Sequence, residues 1–236
     1  MEISLDLAFV RRILTQERAD ALREIRALGV ERALARSQQR HDARIASAPD
    51  VGTLACRAGC TWCCHFTVDV RAAVVFGILD FVERSFTADA KARAYGKVRA
   101  NSAVLKALDE DARATRNVTC PFLYDGRCTI YAVRPQSCRN YHATDVAGCR
   151  KSYEQPGNLD IDPEFAPMVY QAGTAHVEAF SIAMQTEGFD VCAYELNCAL
   201  DAALSDPASR KRFESGSTPF VGLEGQDVPG EFDDLE

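Results

Sequence analysis

The 236-residue sequence predicts a mainly α-helical chain with one small β-hairpin. Three observations carry that expectation. Apolar residues recur at three- and four-residue steps along most of the chain. Asp125-Gly126, set between Phe122-Leu123-Tyr124 and Cys128-Thr129-Ile130-Tyr131, is a strong two-residue hairpin signal. Ten cysteines are present, and eight of them fall into two clusters between residues 56 and 149.

Residues 4–47 read as two helical segments separated at Gly29, with Leu7, Val10, Leu14, Leu22, Ile25 and Leu28 on one stripe. The stripe suits a coiled-coil arm or a helix lying over a core, and Arg18, which breaks the heptad, favours the core. Pro49-Asp50-Val51-Gly52 is turn chemistry. His65–Val70 alternates and is β-branched, as a short strand would be. Residues 71–85 form a buried helix, and Thr87 opens a long polar helix expected to reach Arg116. Arg134-Pro135 closes the hairpin segment, and Pro135 can start a short helix carrying Cys138. Residues 145–163, with Gly148, Pro156, Gly157 and Pro163, read as loop. Residues 164–187 form a helix with Val169, Ala172, Ala179, Phe180 and Ala183 inward, and Asp190 can cap a last main helix ending near Leu204. The last sixteen residues hold six acids and no base, a disordered or loosely docked tail. The organisation is therefore N-terminal amphipathic helices (1–48), a cysteine-cluster region (49–150), C-terminal helices packed on the same domain (151–207) and an acidic tail (208–236).

With 27 basic and 34 acidic side chains the net charge is −7, which argues against a general nucleic-acid binder. No apolar run approaches the roughly eighteen residues of a transmembrane helix, and the N-terminal MEISLDLAFVRRIL lacks the layout of a signal peptide. The expected compartment is the cytosol, without membrane association. In reducing surroundings clustered thiols bind metal or do redox chemistry more often than they form disulfides.

Cys56-x3-Cys60-x2-Cys63-Cys64 puts four sulfurs within nine residues, so one loop can wrap a metal without closing a long chain segment. Neighbouring Cys63 and Cys64 are poor disulfide partners for one another. Cys120, Cys128, Cys138 and Cys149 supply four more sulfurs, Cys149 the weakest candidate because it also reads as a free thiol. A sulfur-rich set favours zinc, iron–sulfur clusters or copper(I) over magnesium or calcium. The expectation is a helical domain built around a cysteine-rich metal-binding region. Cys192 and Cys198 read as packing residues of the last helix. His65 and His142 could each replace a thiolate, His142 being the better placed. His176 lies on an apolar stripe and reads as a hydrogen-bonded core histidine, and His41 as a surface residue. Arg57, Arg134 and Arg139 stand beside cysteines, where guanidinium groups would lower the cost of thiolate charge.

The order CRAGCTWCC, then CPFLYDGRCTIYAVRPQSCRNYH, resembles the YkgJ-type cysteine-cluster family, the zinc- or iron-chelating CxxCxxCC domain. The matching positions are Cys56, Cys60, Cys63, Cys64, Cys120-Pro121-Phe122-Leu123, Gly126, Cys128, Ile130-Tyr131, Arg134-Pro135 and Cys138-Arg139-x-Tyr141. The resemblance covers about residues 53–150. It implies a bound zinc or iron–sulfur centre with these cysteines as ligands. One branch of the family includes flagellin lysine N-methylases, which makes a protein-modifying enzyme using S-adenosylmethionine the alternative expectation. The sequence shows no glycine-rich strand-to-helix loop for that cofactor, and no P-loop, HExxH or Ser-His-Asp pattern. Cys56-x3-Cys60-x2-Cys63 also has radical S-adenosylmethionine spacing, but the βα repeats of those enzymes are missing. The reading is thus a metal-binding protein with a structural, metal-handling or redox role, a metal ion as its partner, and no assigned catalytic residue or protein partner.

Overall fold

The computed structural model describes residues 5–57 and 59–232. Two long helices come first, α1 (Leu7–Leu28) and α2 (Val30–Ala46). Asp6 caps α1 by accepting from the Phe9 N–H at 3.0 Å. Gly29, at φ +83°, is the single residue between the helices, a conformation that L side chains avoid. It turns α2 back along α1, so that Glu17 meets Arg40 and Ser37. The break at Gly29 is where the sequence puts it.

Both helices pack on α8 (Pro167–Thr186), the central element. Its inward face is small, with Ala172, Gly173, Ala175, Ala179 and Ala183 all buried, so neighbouring backbones approach closely. Asp50 caps it from a distant turn, accepting from the Met168 and Val169 N–H groups at 2.7 and 3.0 Å. Val10, Ile13 and Leu14 of α1 fill one end of the interface together with Ile45, Val169 and Phe232. Each such buried aliphatic side chain contributes about 1.5–3 kcal/mol. A polar seam runs between α1, α2 and α8. The Arg40 guanidinium bridges Glu17, itself fully buried, at 2.7 Å and Glu24 at 2.9 Å. Leaving one member of such a buried pair alone would cost about 3–5 kcal/mol.

The second core lies between α3 (Ala72–Ser85), α9 (Leu196–Ser205), α10 (Ser209–Glu214) and the C-terminal half of α8. Val75, Phe76, Ile78, Phe180, Leu200, Phe213 and Phe220 are its buried bulk. Two short strands tie its ends together: β1 (Asp69–Val70) pairs antiparallel with β4 (Tyr194–Glu195), Asp69 opposite Glu195. The hairpin of β2 (Leu123–Tyr124) and β3 (Arg127–Cys128) forms as expected, with Asp125 at φ +51° and Gly126 at φ +66°. Pro135 leads into α6 (Gln136–Asn140), which carries Cys138. Among the described residues no helix is long and apolar enough to cross a membrane.

Several expectations need correction. The strand expected from His65 is confined to Asp69–Val70, because Trp62–His65 winds into a 3₁₀ turn. The helix opened by Thr87 is two helices, α4 (Ala88–Leu105) and α5 (Glu110–Ala114). Asp109 divides them by accepting from the Ala112 N–H at 2.8 Å, a cap that wins over continued helix. Residues 146–154 are not loop but α7 (Val146–Glu154), capped by Asp145 at the Ala147 and Gly148 N–H groups. The last main helix is capped by Glu195 at the Cys198 N–H, 2.8 Å, while Asp190 accepts from the Tyr194 hydroxyl. Cys192 therefore precedes the helix, two residues before β4; Cys198 is buried within it, as a packing residue would be. His41 is fully buried rather than on the surface, since it continues the inward stripe of Leu34, Ser37 and Ile45. In the acidic tail, Gln226 bridges to Ala193 and Phe232 enters the α1–α8 core, while residues 233–236 lie outside the described residues.

Candidate metal centre

The cysteine loop is held by backbone hydrogen bonds to segments far along the chain. The Ala55 N–H donates to the Ala143 carbonyl at 2.9 Å, just before Cys56. Past the 3₁₀ turn, the Val118 N–H donates to His65 O at 2.7 Å and the Cys120 N–H to Cys64 O at 2.8 Å. These two bonds set the start of the second cluster alongside the end of the first. Gly59, at φ +88°, provides the left-handed residue that the tight loop before Cys60 requires. The hairpin then returns the chain so that Cys128 lies opposite Leu123.

Two short helices bring the remaining sulfurs. α7 packs against the Trp62–His65 turn and places Cys149, which is buried, beside the first cluster. Tyr153 of the same helix stacks near both Trp62 and His65, with ring centroids 5.3 and 4.8 Å apart. α6 is fixed from two sides. Arg139, 2% exposed, reaches Asp42 of α2 at 2.5 Å and the carbonyls of Ala132 and Arg134. Asn140 lies directly over Gly173 of α8, where even a methyl group would collide with its amide, and it donates to Thr174 at 3.0 Å.

All ten cysteines are free. Eight of them lie in two groups whose members, as thiolates, would repel at least one other sulfur. Cys56 and Cys149 are both coupled to Cys60 and Cys63. Cys138 is coupled to Cys120, Cys63 and Cys128, and Cys128 again to Cys63. Cys63 thus belongs to both groups, and its neighbour Cys64, ahead of burial, pushes the Cys63 pKa far upward. Burial raises Cys120 to about 11 and Cys149 to about 12, and lifts Cys138 further. Arg134 and Arg139 act in the other direction on Cys128, as expected of guanidinium groups beside thiols, but desolvation outweighs them. Among the described residues no three His, Cys, Asp or Glu side chains converge tightly enough to hold an ion.

The histidines divide clearly. His142 and His65 both have lowered pKa values, chiefly from burial, and His65 Nδ1 lies 3.1 Å from Thr119 Oγ1. His176 is a buried core histidine 2.9 Å from Ser37 Oγ, as expected. His41 stacks edge-on against it at 5.2 Å. Sequence reasoning missed that Cys63 links the two sets. The signal was the adjacency of Cys63 and Cys64, which allows one turn to address two groups at once.

In kind, though not in convergence, the donor set suits a thiophilic ion. Eight soft sulfurs lie in two coupled groups, with two guanidinium groups nearby and neutral thiols wherever a shift is resolved. A cation is the group that would turn their mutual repulsion as thiolates into attraction. Residues 55–161 match the model of the CxxCxxCC family, described as "Putative zinc- or iron-chelating domain". The resemblance drawn from the motifs is therefore shown, and the match runs on through α7 to residue 161. The first interval, Arg57 to Gly59, holds three residues where the family's name writes two. No curated protein and no solved structure matches the chain.

Proposed function

We propose that residues 55–161 hold a zinc or iron–sulfur centre through Cys56, Cys60, Cys63, Cys64, Cys120, Cys128, Cys138 and Cys149. The carrying observation is that the Cys120 N–H donates to the Cys64 carbonyl at 2.8 Å, which sets the second cysteine cluster against the first. The family description supports metal chelation in general; the ligand set, the metal and the role are this reading's own. Zinc would supply a redox-silent tetrahedral anchor, and an iron–sulfur cluster an electron-transfer or sensing group. The chain's own contributions are specific. Arg134 and Arg139 offset thiolate charge near Cys128. Trp62 and Tyr153 pack together at the 3₁₀ turn. α6 and α7 position Cys138 and Cys149. The reading places the protein in a reducing compartment, the cytosol, with a metal ion as its partner.

Elemental analysis and a visible spectrum of anaerobically purified protein test it. Zinc without visible absorption, or iron and sulfide with charge-transfer bands, is the expected result. Protein carrying neither metal above trace would overturn it. Cys63→Ser should lower metal content more than any other single replacement, and Cys198→Ser, buried within α9, should leave it unchanged.

A further inference from the structure

A second site lies away from the sulfurs. A cleft of about 160 Å³ opens between β1, the start of α3, α6 and α8. Its walls are largely aliphatic, with Val70, Val74, Val177 and Ala193 among them. Two of its lining residues carry buried donor nitrogens without an acceptor. Gln136 is 5% exposed, and its Nε2 is buried with no partner. The Arg71 side chain makes no hydrogen bond or ion pair among the described residues, and its Nε is buried in the same state. Arg71 is also the N-terminal flank of α3, whose first turn has no side-chain cap. The positive end of the helix dipole therefore reinforces the guanidinium.

The geometry points to a binding site for a small aliphatic monocarboxylate in this cleft. Buried donors without partners are costly to the free protein, and a ligand acceptor recovers that cost. A guanidinium fork beside a carboxamide matches the two oxygens of a carboxylate. The ligand carries one negative charge because the cleft has one cation and Asp69 on its rim, with the Glu178 carboxylate within electrostatic reach of Arg71. A phosphate dianion would meet that repulsion with too little positive charge. The valine and alanine walls select a short hydrocarbon chain over a polar one. Gln136 and Cys138 are two positions apart on α6 and point to different sides, so the site is independent of the cysteine reading.

Calorimetric titration of the intact protein, as purified with its metal, tests this with sodium butyrate, uncharged butyramide and inorganic phosphate. Saturable one-site binding of butyrate in the millimolar range or below is expected, with butyramide and phosphate weaker. Arg71→Gln should weaken butyrate at least ~10-fold, the loss of one charge-assisted pair. Gln136→Glu, nearly unchanged in volume, adds a like charge and should abolish binding. Circular dichroism and metal content establish that each variant is folded. No saturable butyrate binding, butyrate no tighter than butyramide, phosphate tighter than butyrate, or undiminished binding in a folded variant would each overturn the assignment. The ligand comparison on the unaltered protein decides the matter even if Arg71→Gln fails to fold.

Discussion

His176 sits in the polar seam with no solvent contact, between Ser37, Glu17, His41, Arg40 and Arg44. Burial is the main reason its pKa falls to about 2, with His41 and the two arginines adding repulsion. The unfolded chain protonates this imidazole near its ordinary 6.5, while the folded chain resists. Stability from this group is therefore complete above pH 6.5 and declines as pH falls, by about 1.4 kcal/mol per pH unit. His41 is shifted in the same direction, again chiefly by burial. Chemical denaturation between pH 7 and pH 4.5 should show this slope, and His176→Gln should flatten it by about one proton's worth. An identical slope in the variant would contradict the account. Of the two histidines only His176 was legible in sequence, because it shares a stripe with Ala172, Ala179 and Phe180. His41 has Arg40 and Asp42 as neighbours, and their polarity hides an inward stripe spaced at helical intervals. The sulfur spacing was equally readable, but local spacing cannot show which sulfurs from distant helices meet.

At the scale of elements, the hairpin shows how a local signal survives folding. Asp125 and Gly126 both adopt positive φ, as a right-twisted two-residue turn requires. Gly126→Val should cost about 1–2 kcal/mol, since a β-branched residue is strained there. That corresponds to a melting temperature lower by several degrees. Differential scanning calorimetry checks it, and Asp125→Asn, which tolerates the same conformation, should behave like the unaltered protein. α7 shows the opposite case. Gly148 inside it and Pro156-Gly157 after it are loop signals, and a nine-residue helix has little intrinsic stability. Packing of Tyr153 on Trp62 and His65, together with the Asp145 cap, supplies what propensity does not. The divided helix after Thr87 has a related cause. Ser102 and Lys106 both bind Asp201 of α9, which fixes the end of α4 by a partner about a hundred residues away.

For the whole molecule, the two halves of the fold rest on different foundations. α1, α2, α8 and α3 share extensive aliphatic cores. The stretch from 53 to 150 outside α3 and α4 has three two-residue strands, short helices and turns, with Phe122 and Ile130 as its main fully buried apolar side chains. Such a stretch buries too little to offset its chain entropy unaided. If the proposed centre is structural, a strong chelator should remove hydrogen-exchange protection from the hairpin, α6 and α7 while α1, α2 and α8 keep theirs. Equal protection in both forms would show that the centre serves redox or sensing chemistry instead.

The seating of Asn140 over Gly173 carries this further. It makes one hydrogen atom on α8 the keystone of a region whose sulfurs all lie elsewhere. A genetic screen for loss of metal should therefore return position 173 although nothing there can bind an ion. Gly173→Ala would push the Asn140 amide off Thr174 and so loosen the seat of α6 and Cys138, and the metal content of the purified variant should fall while far-UV circular dichroism still reports the helices. The equivalent replacement at Gly96, on α4 with open space where its side chain would stand, should leave metal content untouched.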